Sequence, residues 1–259
     1  MPRFAANLSL LFTEVPLPQR FARAAAAGFR FVECQFPYDF PADALRAEMD
    51  AAGLKMVLHN LPAGDWAAGD RGIACDPARV AEFRAGVPRA LAYAEALGVP
   101  QLNLLAGLTP TGVPAAQVRA TFLDNLRFAA DLLAEHGRTL LVEPLNTFDV
   151  PGFWLHSSHD AQALIEEAAR PNVKIQFDLY HLQRMQGELA GTLLRQLPHI
   201  GHVQFADNPG RHEPGTGELN FTFLFAHLDR IGYDGFVGAE YLPLAGTEAG
   251  LGWLERFQA

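Results

Sequence analysis

Val173-Lys174-Ile175-Gln176-Phe177-Asp178 alternates apolar and polar side chains at every second position. That is the period of a β-strand, whose successive side chains point to opposite faces. With Val173, Ile175 and Phe177 packed against a layer of helices, Asp178 points the other way, at the C-terminal end of the strand. The same reading applies to Glu33 between Val32 and Cys34, and to Glu143 against Leu140 and Val142. It also applies to His202 and Gln204 against Val203 and Phe205, and to Glu240 against Val237 and Ala239.

Strands are predicted at residues 4–11, 29–36, 54–60, 101–106, 139–144, 173–179, 200–206 and 236–241. The segments between them carry apolar residues at helical spacing, as in Val118, Phe122, Leu126, Ala129 and Leu133, or in Ala161, Leu164, Ile165 and Ala168. Ser157, Ser158 and Asp160 supply capping chemistry just before the second of these helices. Eight strand–helix units in 259 residues come to about 32 residues each, the size of a repeat in a (β/α)8 TIM barrel. One such barrel over residues 1–259 is expected, since no linker or shift in composition divides the chain. A doubly wound open sheet is the alternative. It would carry a glycine-rich phosphate turn after an early strand, and none is found.

Twenty Lys and Arg against 29 Asp and Glu leave a formal charge of −9. That balance argues against a general nucleic-acid-binding surface, which needs basic excess. The two cysteines, Cys34 and Cys75, make neither a disulfide framework nor a cysteine zinc site. No apolar run reaches the roughly 18 residues that span a bilayer. Met1-Pro-Arg leads into a strand rather than a signal segment, so a cytoplasmic protein is expected. Trp253, Leu254 and Phe257 either dock the last helix or form a homo-oligomer contact.

Active sites of these barrels are built at the C-terminal ends of the strands. Glu143, Asp178, Gln204 and Glu240 end four successive strands there. Singly, each is an ordinary strand-end residue paired with Arg or Lys; together they describe a site. Three carboxylates in one pocket repel one another. Four oxygen ligands suit a hard divalent cation, Mg2+ or Mn2+.

Leu141-Val-Glu-Pro-Leu-Asn146, Phe177-Asp-Leu-Tyr-His181, His202-Val-Gln-Phe-Ala-Asp207 and Gly238-Ala-Glu240 resemble the xylose-isomerase-like barrel superfamily. With the loops His59–Ala74 and Gly210–Glu218, the chain resembles the hydroxypyruvate isomerase family most within it. The resemblance implies an aldose–ketose-type isomerase acting on a small hydroxy-keto acid through an enediolate. In related ketose 3-epimerases the metal ligands are Glu, Asp, His and Glu on strands five to eight. Those places fall here on Glu143, Asp178, Gln204 and Glu240, and the glutamine favours the hydroxypyruvate isomerase branch. Glu143 and Glu240 are the expected proton-transfer pair as well as ligands. The resemblance also places His181 and Arg211 on the substrate.

Arg71 is a second candidate for the substrate carboxylate. His59 either lines the pocket or is a polar strand-end residue. Glu33 either holds a pocket Arg or His, or forms a structural ion pair. Asp65-Trp66-Ala-Ala-Gly-Asp70 reads as a covering loop, with Trp66 excluding water. The rival functions are a 2-oxo-tetronate isomerase, a ketose 3-epimerase, a metal-dependent hydrolase or endonuclease-like barrel, and a non-catalytic barrel that binds a metal or metabolite. The hydrolase class uses many histidines, whereas strand four here ends in Asn103-Leu-Leu-Ala.

Overall fold

The computed structural model describes residues 2–258. Its parallel strands are β1 (Arg3–Asn7), β2 (Phe31–Cys34), β3 (Lys55–Asn60), β4 (Gln101–Leu104), β5 (Thr139–Val142), β6 (Val173–Asp178), β7 (Ile200–Phe205) and β8 (Phe236–Ala239). They pair in chain order, and β8 returns to β1 to close the barrel. All eight expected strands are present, each shorter than its sequence pattern. After β2, β5 and β8 the chain leaves the sheet at Gln35, Glu143 and Glu240.

Around the barrel run α1 (Leu17–Ala26), α2 (Ala42–Ala51), α3 (Val80–Leu97), α4 (Ala115–Glu135) and α5 (Ser158–Ala168). They continue with α6 (Leu179–Met185), α7 (Leu189–Gln196), α8 (Phe221–Arg230) and α9 (Gly252–Gln258). In α4 the stripe Val118, Phe122, Leu126, Ala129 and Leu133 is buried against the sheet. Ser157 caps α5 by accepting the N–H groups of His159 and Asp160, which satisfies donors that a helix start leaves unpaired. No helix among the described residues is long and apolar enough to cross a membrane.

The last helix docks as one of the two expected readings had it. Trp253 meets the rings of Phe4 and Phe205 edge-on at 5.2 and 5.1 Å, and its Nε1 donates to the Tyr241 hydroxyl at 3.0 Å. Trp253 and Leu254 are buried by this docking, and Phe257 packs on Phe225.

Inside the barrel, Ala5, Val57, Leu58 and Leu141 form an apolar floor with Phe31 and Phe236. Nearer the mouth the interior is polar: Glu33, Gln101, Gln176, His202 and Gln204 are all buried. Gly238, in register with Gln204 on β7, makes room for this layer. A Cβ there would lie 2.4 to 2.6 Å from the carboxylate of Glu33. Gly238→Ala should therefore destabilise the fold by about 1–3 kcal/mol, the usual cost of overpacking. Gly252→Ala, where a Cβ meets nothing within 4 Å, should change stability by less than about 0.5 kcal/mol. Urea unfolding of the two variants checks this, and equal midpoints would contradict it.

Candidate active site

Glu143, Asp178 and Glu240 stand at the ends of β5, β6 and β8, all buried. Asp178 is also the N-cap of α6: its Oδ1 accepts the N–H of Tyr180 at 2.8 Å. Its Oδ2 is buried without a hydrogen-bond partner. Glu143 Oε2 accepts from Asn103 Nδ2 at 2.8 Å. Glu240 Oε1 accepts from Asn7 Nδ2 (2.9 Å) and Gln35 Nε2 (3.0 Å), and its Oε2 from Arg211 Nη2 (2.6 Å). One ligand atom from each of Glu143, Asp178, Glu240 and His181 falls within 4.8 Å of the others.

Burial raises the pKa of all three carboxyls, because a low-dielectric surrounding disfavours charge. Glu143 is pushed well above the carboxylate range, by burial first and then by the charges of Glu240 and Asp178. Asp178 rises to about 7 through burial, with Arg211 pulling it down and Glu240 pushing it up. Glu240 is raised by burial and restrained by Arg211. For Arg211, burial opposes the charge and the three carboxylates more than reverse that, so it stays a guanidinium. Its backbone holds φ +59°, a left-handed conformation that costs a non-glycine residue about 1 kcal/mol. Asp207 secures that turn by accepting the N–H groups of Asn208, Gly215, Gly217 and Leu219.

Were all three carboxyls ionised, one cation would leave the pocket short of positive charge, and their raised pKa values answer that conflict. The unpartnered Asp178 Oδ2 beside two further carboxylates is a donor set that fits a hard divalent cation.

Gln204 is placed differently from the expected fourth ligand. Its Oε1 accepts from Gln176 Nε2 and its Nε2 donates to Glu33 Oε1, both at 2.6 Å. Both ends of the amide are thus engaged in the layer beneath the carboxylates. Glu33 is the centre of that layer. It bonds a histidine, His202, at 2.7 Å, and accepts from Asn7 Nδ2 at 3.0 Å. Asn7 spans Glu33 and Glu240, so the two layers are joined.

His181 and Arg211 reach the carboxylates; His59 and Arg71 do not. His181 Nε2 lies 3.5 Å from Asp178 Oδ2. Burial, with Arg211 and Arg184, holds its pKa well below the ordinary value. The face of His59 is set by a register shift between β2 and β3, which places Glu33 opposite Leu58 and Cys34 opposite His59. On its other side His59 pairs with Leu102. Cys34 and Leu102 belong to the outer core, so His59 faces the helices, with its Nδ1 3.3 Å from the Tyr38 hydroxyl. Arg71 donates to the carbonyls of Trp66 and Asp70 and stacks on the Trp66 ring at 4.2 Å. It therefore braces the covering loop. Trp66 is 40% exposed and leans on Phe36 at 5.2 Å. Beneath this loop lies a cavity of about 520 Å3 lined by Ser9, Gln35, Tyr38 and Trp66 among others.

The sequence reading missed Asn7, Gln35, Asn103 and Asn146. Asn7 and Asn103 share the inward, strand-end parity that marked the carboxylates, and that signal was available. Gln35, two residues past Glu33 in the predicted strand 29–36, shares that parity although β2 ends at Cys34; Asn146 lies in a loop, where no period applies.

The profile of the xylose isomerase-like TIM barrel family matches residues 21–257. A 2-oxo-tetronate isomerase from Cupriavidus necator is 51% identical over 257 residues, covering 99% of both chains. A hydroxypyruvate isomerase from Escherichia coli is 50% identical over 258 residues, covering 100% of both. A crystal structure described as an AP endonuclease, family 2, from Brucella melitensis has a TM-score of 0.97 at 48% identity over 99% of each chain.

Burial lowers the His59 pKa from 6.5 to about 4. The unfolded chain then binds this proton between pH 6.5 and 4 while the folded chain does not. Stability from this source is full above pH 6.5 and falls as pH drops towards 4, by about 3 kcal/mol in all. His59→Gln removes that dependence. The stability difference between wild type and variant should therefore shrink or reverse by that amount from pH 7 to 4 in urea unfolding. A pH-independent difference would rule out a buried neutral His59.

Proposed function

This chain belongs to the xylose isomerase-like TIM barrel family, and within it we propose a cytoplasmic hydroxypyruvate isomerase that interconverts hydroxypyruvate and 2-hydroxy-3-oxopropanoate. The observation that carries this reading is the group of buried carboxylates Glu143, Asp178 and Glu240 facing a charged, half-buried Arg211. The reaction removes a proton from the CH2OH carbon and returns one to the former carbonyl carbon. It needs a base, an acid and stabilisation of the enediolate between them.

Glu143 and Glu240 are the proton-transfer pair. Burial raises both pKa values, so each holds a proton more readily than an ordinary glutamate does. Arg211 holds the substrate carboxylate by charge-assisted hydrogen bonds, and its contact with Glu240 keeps the guanidinium at the pocket. Trp66 and its loop exclude water from the enediolate. Glu143, Asp178 and Glu240 would hold Mg2+ or Mn2+. The bound cation would balance their charge and act as a Lewis acid on the substrate oxygens. Gln204 supports Glu33 and, through Asn7, Glu240.

A 2-oxo-tetronate isomerase is the second reading. It is favoured by the Cupriavidus relative. A nuclease is disfavoured by the net charge of −9. The two free, buried cysteines accord with a reducing cytoplasm.

Conversion of hydroxypyruvate, followed by coupling the product to a nicotinamide-dependent reductase, tests the reading. Glu143→Gln and Glu240→Gln should each lower kcat by about 10²- to 10⁴-fold with unchanged circular dichroism. Near-normal turnover in either variant would remove that residue from the mechanism. EDTA should abolish activity, and Mg2+ or Mn2+ should restore it; full activity in EDTA would reject the cation. Turnover of the four-carbon acid alone would move the assignment to the second reading.

A further inference from the structure

His181 stands where two roles compete. A ring nitrogen makes it one of the groups around which a cation would gather. Its Nε2 also faces Asp178 at the mouth, where the isomerase reading places the substrate. The location of one ring proton decides between these roles, and Asn146 determines that location.

Asn146 Oδ1 accepts the backbone N–H of Phe148 (3.1 Å) and of Asp149 (2.8 Å). Exchanging the amide oxygen and nitrogen would set a donor against two donors. The nitrogen end therefore faces away, donating to Asp149 Oδ2 at 3.1 Å and to His181 Nδ1 at 2.7 Å. The backbone N–H of Asn146 reaches the same ring nitrogen at 3.2 Å. Two donors converge on Nδ1, so Nδ1 carries the lone pair and the proton of the neutral ring sits on Nε2. Nε2 faces Asp178 Oδ2, an oxygen with no hydrogen-bond partner.

We propose that Asn146 is a positioning residue that locks His181 as its Nε2–H tautomer, so that His181 is a hydrogen-bond donor to the substrate and not a metal ligand. A nitrogen that bears a proton has no lone pair for a cation. Moving that proton to Nδ1 would drive it against both Asn146 donors. Asn146 is itself held from several sides: Asp149 accepts from its Nδ2 and also from the Tyr180 hydroxyl at 2.7 Å. The donor's target, the oxygen that becomes the enediolate, rests on the isomerase reading. The tautomer does not.

Histidine-selective 15N labelling of the full chain, without substrate, reads the tautomer directly. His181, assigned by the loss of its signals in His181→Gln, should show a lone-pair Nδ1 and a protonated Nε2, and Nε2 should keep its proton when Mg2+ is added. A lone pair on Nε2, or loss of the Nε2 proton on adding Mg2+, overturns the proposal. Asn146→Asp keeps acceptors for Phe148 and Asp149 but turns an oxygen towards Nδ1. In that variant a proton should appear on Nδ1, and kcat on hydroxypyruvate should fall about 10- to 100-fold with KM little changed. An unaltered ring in Asn146→Asp also overturns the proposal. Should the wild type show the expected ring yet turn over neither the three- nor the four-carbon acid, the isomerase reading fails and the tautomer lock stands.

Discussion

Three carboxylates share one buried space at the mouth of the barrel, and like charges there oppose one another unless something balances them. Their surroundings answer that constraint. The side chains that contact Glu143 and Glu240 are donors: Asn103 for the first, Asn7, Gln35 and Arg211 for the second. Arg211 reaches the pocket from a left-handed backbone position that the Asp207 turn enforces. Asp178 spends one oxygen on a helix cap and leaves the other open. Local strain and an unsatisfied oxygen are concentrated at one place, as expected where structure serves chemistry.

The layer below explains how such a site is kept rigid. Glu33 gathers Asn7, Gln204 and His202, so groups from β1, β2 and β7 are tied together inside the barrel. A buried polar network of this kind is tolerable only when its members are satisfied, and then it defines a single arrangement. Gly238 is the steric condition for it, since any side chain there would displace the Glu33 carboxylate. Apolar floor, polar middle and charged mouth thus follow one another along the barrel axis. The mouth inherits its geometry from the register of the strands beneath.

The loops add what strands cannot. The turn after β5 brings Asn146 against His181 on α6, and the loop after β3 brings Trp66 over the cavity with Arg71 stacked on its ring. The first contact joins segments 35 residues apart and the second lies within one loop, and each holds a polar group in one orientation. That orientation matters for a reaction in which a proton leaves one carbon and arrives at the next, because misaimed donors and stray water both divert an enediolate.

The barrel and its carboxylates were legible in the residues themselves. Alternation is a local property, so Asp178 against Ile175 and Phe177, or Glu143 against Leu140 and Val142, reports its own face wherever the strand lies. The inward places of Glu33, His202, Gln204 and Glu240 followed by the same rule. His59 escaped it because its face depends on the register shift between β2 and β3, and a slip of one residue turns every following side chain to the other face. The rule was silent on the partners of Arg71 and Gln204, because Trp66 for one and Gln176 and Glu33 for the other are chosen by packing. By itself, then, the sequence determined the strand order, the barrel and the acidic mouth, since these rest on periodicity and on which residues end each strand. Only the tertiary structure decided which polar groups meet there and which proton each carries, because hydrogen-bond partners are set by distances across the fold.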